Sequence, residues 1–176
     1  MKRSVAAVLL PLALASCAPS MLAPNASTID GLYLQSVTGS NLFEIQSSQV
    51  ALQKSQNQGV RAYAQQMIDM HTPAQQQVAA LAAARKVPLP ATLPPELQLK
   101  VNTLAATDAA AFDAAYIREQ ILSHQFTVSI FQNEQAAGKD AEVVAFANAN
   151  LPMIQAHLQQ AQALGGAAPA GHSADH

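Results

Sequence analysis

The sequence predicts an all-α protein: an antiparallel four-helix bundle with a short extra helix before helix 3. Three observations predict it. Apolar residues recur at steps of four and three, as in Val60, Ala64, Met67, His71, Ala74, Val78 and Leu81, the spacing of a buried stripe on a bundle helix. Two polar turn signals, Asn57-Gln58-Gly59 and Gly138-Lys139-Asp140, each join two such stretches into a helical hairpin. The hairpins also resemble each other weakly: Asn57–Ala64 reads NQGVRAYA and Asp140–Ala147 reads DAEVVAFA, so a bundle of approximate twofold character is expected.

The first helix is expected from about Asp30 to Gln56. The second begins near Val60 and ends before Pro88. Pro73 lies inside it, next to His71. A proline cannot donate to the carbonyl four residues back, here that of Asp69, and its ring crowds that turn. A kink or restart is therefore expected, with Thr72 available as a cap. The proline-rich connection Val87–Glu96 follows, and Pro95 suits the first position of a short helix carrying Leu97, Val101 and Leu104. Thr107 or Asp108 should cap helix 3, which runs to about Ala136 with Ile117, Ile121, His124, Val128 and Phe131 on its seam. Helix 4 follows, with Val144, Ala147, Leu151, Ile154, Leu158 and Ala161 on its stripe and Pro152 repeating the arrangement at Pro73. Residues 29–164 are thus the bundle domain.

The 176-residue chain has a hydrophobic content of 50%, enough for a single core. Charged residues make up 11%, with a net charge of -2, and no basic stripe with interleaved aromatics exists. Nucleic acid is therefore not an expected partner. The N-terminus is read as an address. Lys2 and Arg3 precede a short apolar stretch from Val5 to Ala15, the pattern of a secretory signal peptide. Its end, Leu14-Ala15-Ser16-Cys17, resembles the bacterial lipobox. Residues 1–16 are then a lipoprotein signal peptide and Cys17, the single cysteine, is the lipidation site, palmitate being among the expected acyl chains. Two chains already suffice for stable anchoring. Ala18 favours the outer membrane, facing the periplasm, in a cell that has one. Residues 17–28 read as a flexible tether and residues 165–176 as a disordered tail.

Three segments, Asn41–Thr72, Phe112–Asp140 and Phe146–Leu164, together resemble the bacterial domain-of-unknown-function family 4142. The resemblance implies a ferritin-like bundle in a secreted or envelope protein, and implies little about activity. The family more often reads Asp-His where this chain has Met70-His71, with Asp69 one place earlier.

The residues narrow the chemistry. Ferritin-like di-iron sites need Glu-x-x-His, which sets two ligands on one helical face. None of the five glutamates, Glu44, Glu96, Glu119, Glu134 and Glu142, precedes a histidine by three, so a di-iron oxidase is disfavoured. No nucleophile elbow or phosphate-cradling loop is present either. Glu119 and Glu134 read as solvated, and Met67, Met70 and Met153 as core filler rather than a copper box. One polar candidate per long helix remains: Glu44, His71, His124 and His157. Glu44 lies 13 residues before Asn57 and His71 lies 14 after it; His124 lies 16 before Asp140 and His157 lies 17 after it. At ~1.5 Å per residue the first pair is ~20 Å from its turn and the second ~25 Å from its own. With both turns at one end, all four would fall within about one helical turn. His71 and His124 are on their seams, while Glu44 and His157 flank theirs. One reading makes His71 and His124 neutral core residues bonded to groups freed by the prolines. The sharper one makes the four a three-histidine, one-carboxylate site for zinc, iron or copper. The function expected is an envelope-anchored binding or structural module, held to the membrane through its N-terminal lipid. The alternatives are a metal- or small-ligand-binding bundle using the inner histidines, and an enzyme whose cofactor the sequence does not reveal.

Overall fold

The computed structural model describes residues 26–166. The expected signal peptide, Cys17, nearly all of the tether and most of the C-terminal tail lie outside the described residues. Five helices and no strand occur among the described residues: α1 (Ile29–Lys54), α2 (Gln58–Ala84), α3 (Pro95–Ala106), α4 (Ala109–Ala137) and α5 (Ala141–Gly166). This is the all-α bundle that the periodicity predicts, and it is compatible with the ferritin-like arrangement.

Local chemistry explains the boundaries. Thr28 Oγ1 accepts from Gly31 N at 3.0 Å and starts α1. Asn57 Oδ1 accepts from the N–H groups of Gly59 and Val60 and starts α2. At the end of α2 the N–H groups of Lys86 and Val87 return to the carbonyls of Ala83 and Ala82. That pairing requires a left-handed residue just past the helix, and Lys86, at φ 56, supplies it without being glycine. Pro95 opens α3 as expected. Asp140 Oδ1 accepts from Glu142 N and Val143 N at the start of α5.

Several expectations are corrected. The helix does not restart at Pro73; α2 runs through it unbroken, because neighbouring turns and tertiary packing hold one weak step in register. Asp108 takes the cap position of α4, yet its side chain makes no capping bond. The buried stripe of α5 carries Val143 and His157 rather than Val144 and Leu158. Met70 is 40% exposed, whereas Met67 is buried in the core as expected. Glu134 is fully buried rather than solvated.

The two hairpin turns lie at opposite ends of the bundle. Asp30, in the first turn of α1, accepts from Lys139 N and Asp140 N at the α4–α5 turn. Arg85, just past α2, pairs with Asp140 at the same end. At the other end a β-carbon on Gly59 would meet Leu164, near the end of α5, at 3.2 Å. After α2 the chain must therefore travel the length of the bundle before α4 can start, and residues 85–108, including α3, are that crossover.

The core has two larger apolar clusters along the axis, a polar layer between them, and a smaller apolar cluster of Phe43, Leu93 and Val101 where α1 meets the crossover. One apolar cluster holds Tyr33, Val78, Phe131, Phe146 and Leu151. Another holds Tyr63, Met67, Phe112, Tyr116 and Ile117 toward the opposite end. Between them lies a buried polar layer that includes Asn41, Glu44, His71, Gln120, His124 and His157.

Candidate metal centre

Each long helix contributes one residue to the middle of this layer, and all four predicted site residues are at most 2% exposed. Glu44 and His157 belong to the buried faces themselves instead of flanking them. They come together although the turns are at opposite ends. A residue ~20–25 Å from one end of a helix ~40 Å long is about as far from the other end. Mid-helix positions therefore converge whichever way the hairpin points.

The three histidine rings form a nearly equilateral triangle. Their centroids are 5.9 Å apart for His71–His124, 5.5 Å for His71–His157 and 5.6 Å for His124–His157. One ring nitrogen from each lies within 4.8 Å of the others. A tetrahedral ion with bonds of about 2.0–2.1 Å places its nitrogens roughly 3.4 Å apart, so the side chains would have to rotate inward to hold one ion. Glu44 is outside this set. Its Oε1 lies 3.8 Å from His124 Nδ1, on the ring edge away from the free nitrogen.

The remaining nitrogens decide which lone pairs are presented. His124 Nδ1 lies 2.8 Å from the carbonyl of Gln120. A carbonyl only accepts, so Nδ1 carries the proton and Nε2 a lone pair. His71 Nδ1 lies 2.9 Å from Asn41 Oδ1. Asn41 is itself oriented, since its Nδ2 donates to Gln75 Oε1 and Gln75 Nε2 donates to Thr38 Oγ1. His71 Nε2, His124 Nε2 and His157 Nδ1 are all buried with no hydrogen-bond partner. Neither proline-freed carbonyl, that of Asp69 or Asn148, is the partner; the histidines use Asn41 and the carbonyl of Gln120 instead.

Burial decides the charge. It holds His124 and His157 down at about 4, the hydrogen bond to Gln120 partly offsetting this for His124 and the charge of His124 adding to it for His157. His71 is held well below 6.5 by burial and then by the other two rings. Burial pushes Glu44 up to about 8, against the hydrogen bonds from Ser123 and Gln120. At neutral pH the centre thus offers three neutral imidazoles, a donor set suited to zinc, iron or copper. Three protein ligands leave a coordination position open.

Sequence reasoning missed the supporting residues Asn41, Gln120 and Ser123. A signal for Asn41 existed: Asn41, Glu44 and Ser48 recur at steps of three and four on α1, marking a polar stripe. Nothing in sequence marks a backbone carbonyl such as that of Gln120 as a partner.

Comparison with known proteins concerns the family and the fold. A family model for a domain of unknown function, DUF4142, matches residues 15–164. A search of curated proteins finds no match. Among solved structures, the chain is similar to the crystal structure of a DUF305 fragment from Deinococcus radiodurans, with a TM-score of 0.70 at 16% identity, covering 78% of this chain and 95% of that one. At that identity the likeness concerns the fold alone.

Proposed function

The chain belongs to the DUF4142 family, and from that premise we propose that its bundle is a transition-metal-binding module of the cell envelope, with His71, His124 and His157 as protein ligands. The observation that carries this reading is that His71, His124 and His157 each bring a ring nitrogen within 4.8 Å of the others, and each also leaves one ring nitrogen buried without a hydrogen-bond partner. A buried polar atom left unpaired costs roughly 1–3 kcal/mol, and one ion held between the three rings would relieve that cost. Support also comes from the contacts behind the rings. Metal-ligating histidines characteristically donate their other nitrogen to a carbonyl or carboxylate, which fixes tautomer and orientation; Asn41 and Gln120 do this for His71 and His124. Zinc, iron and copper all suit the donors. Envelope attachment through acylated Cys17 rests on the lipobox resemblance.

Calorimetric titration with Zn2+ at pH 7.5 tests the centre. The chain should carry His172→Ala and His176→Ala, which remove the two histidines outside the bundle. We expect one equivalent to bind, and either His71→Ala or His124→Ala to weaken binding at least ~100-fold, the upper end of what losing even a supporting contact costs. Absence of stoichiometric binding, or binding indifferent to both substitutions, would remove the metal reading.

A further inference from the structure

The histidines and Glu44 are each at most 2% exposed, so an ion reaches them only by passing between side chains. The described surface carries a groove of about 720 Å³ between α1 and α4, roofed by the proline-rich segment and α3. Its walls are largely apolar, but Ser40 and Ser123 line it as well. Ser123 donates to Glu44 Oε1, and that oxygen lies 3.8 Å from His124 Nδ1. Thr127 Oγ1 donates to Ser40 Oγ at 3.2 Å, and Glu44 Oε2 is buried without a partner. Oxygen atoms thus run from the groove to the Nδ1 edge of His124, across the ring from its free Nε2. Two other grooves on the described surface are different. One, near the end of α5, is lined by Ile117, Ile121 and Leu164 among others; the other lies beside Asp30 and Arg85, at the far end of α1. Neither has a lining residue bonded to the centre.

A hydrated divalent ion loses its water reluctantly in apolar surroundings, because desolvating a charge without replacement ligands is costly. A line of hydroxyl and carboxyl oxygens offers such replacements one at a time. We propose that the α1–α4 groove is the path by which a divalent transition-metal ion passes between solvent and the three histidines, with Ser123 and Glu44 as the oxygen relay. This rests on the metal centre proposed above. Ser123 and Glu44 are then positioning residues on the route, and they govern how fast the ion arrives and leaves more than how tightly it is held.

The test is stopped-flow capture of Co2+, followed by its visible absorption on nitrogen coordination, with the full chain carrying His172→Ala and His176→Ala. Ser123→Leu plugs the floor, Ser36→Trp covers the exposed rim of the same groove, and Gln162→Trp crowds the groove near the end of α5. We expect both α1–α4 groove variants to slow capture and release by about tenfold or more. Equilibrium affinity should stay within about threefold in Ser36→Trp, and Gln162→Trp should behave as the parent chain. Capture at the parental rate in both groove variants overturns the route. So does a loss of affinity in Ser36→Trp that matches its loss of capture rate, because that makes the groove part of the site instead of the path. Should Ser123→Leu fail to fold by circular dichroism, Ser36→Trp, on an exposed position, carries the test alone. A parent chain that captures no Co2+ removes the metal centre itself; a parent that captures it, beside unhindered groove variants, removes only the route.

Discussion

Glu134 is fully buried on α4, and neither of its carboxyl oxygens has a hydrogen-bond donor. The Tyr33 hydroxyl is buried and partnerless as well. Burial pushes Glu134 up to about 7, and the neighbouring Asp30 and Asp140 push the same way. Glu134 therefore holds its proton over a range where a free glutamate has lost it. Between about 4.5 and 7 the folded chain keeps a proton that the unfolded chain has released, so stability falls as pH rises through that window and levels off above it. Glu134→Gln cannot titrate, and its amide can still donate. Urea midpoints should show the variant gaining on the parent from pH 5 to pH 8; parallel profiles would mean that Glu134 does not titrate there. The histidines have the opposite sign. Their depressed values mean that the unfolded chain takes up protons first, so they remove stability as pH falls from about 6.5 toward 4. Protons also compete with a metal for the same lone pairs. Because burial moves that competition to about 4, Zn2+ affinity should change by less than about threefold between pH 7.5 and 6. A loss of about tenfold per unit from pH 6.5 downward, in competition titrations, would mean that the rings titrate as ordinary exposed histidines.

Along the helices, the periodic seams are stability elements. Phe131 is 2% exposed and meets Tyr33 edge-on at 5.3 Å and Phe146 at 6.4 Å between centroids. Phe131→Ala should cost about 3–5 kcal/mol, the range for truncating a buried phenylalanine. A loss below about 1 kcal/mol in urea denaturation would contradict this packing. The same helix contributes His124, ten residues before Glu134 and seven before Phe131, so one buried face carries both the apolar core and the site. The close turn after α4 depends on its glycine. A β-carbon at Gly138 would collide with Glu134 Oε1 and meet the Glu134 carbonyl at 2.6 Å, which leaves no room for a larger residue.

In the molecule as a whole, placing the two turns at opposite ends makes every pair of packed long helices antiparallel and requires the crossover through α3. The Arg85 guanidinium, held by Asp140 and Glu142, together with Asp30 on the backbone of the α4–α5 turn, joins three chain segments at one end. No helix of the described residues is long and apolar enough to cross a membrane. Membrane attachment is proposed to come from the lipid at Cys17. Cys17→Ser should then abolish fatty-acid labelling and release the protein from the membrane fraction. Continued labelling and sedimentation with membranes would remove the lipoprotein reading.

The sequence by itself determined the helices, because an apolar stripe at steps of three and four has only one way to be buried along a helix. Val60, Ala64, Met67, His71, Ala74 and Val78 are all buried as that stripe requires. It also singled out Glu44, His71, His124 and His157, each the polar member near the middle of its helix. Only the tertiary structure decided which of the four share a point. The three ring nitrogens do; the Glu44 carboxyl does not, since Ser123 and the Nδ1 edge of His124 hold it to one side. The tertiary structure also decided that Glu134 is buried and that the turns are at opposite ends. These depend on the rotation of each helix about its own axis and on contacts between residues as distant in sequence as Asp30 and Asp140. Spacing along one helix places a residue to within a turn, whereas coordination and hydrogen bonding depend on fractions of an ångström set by the packing of all four helices together.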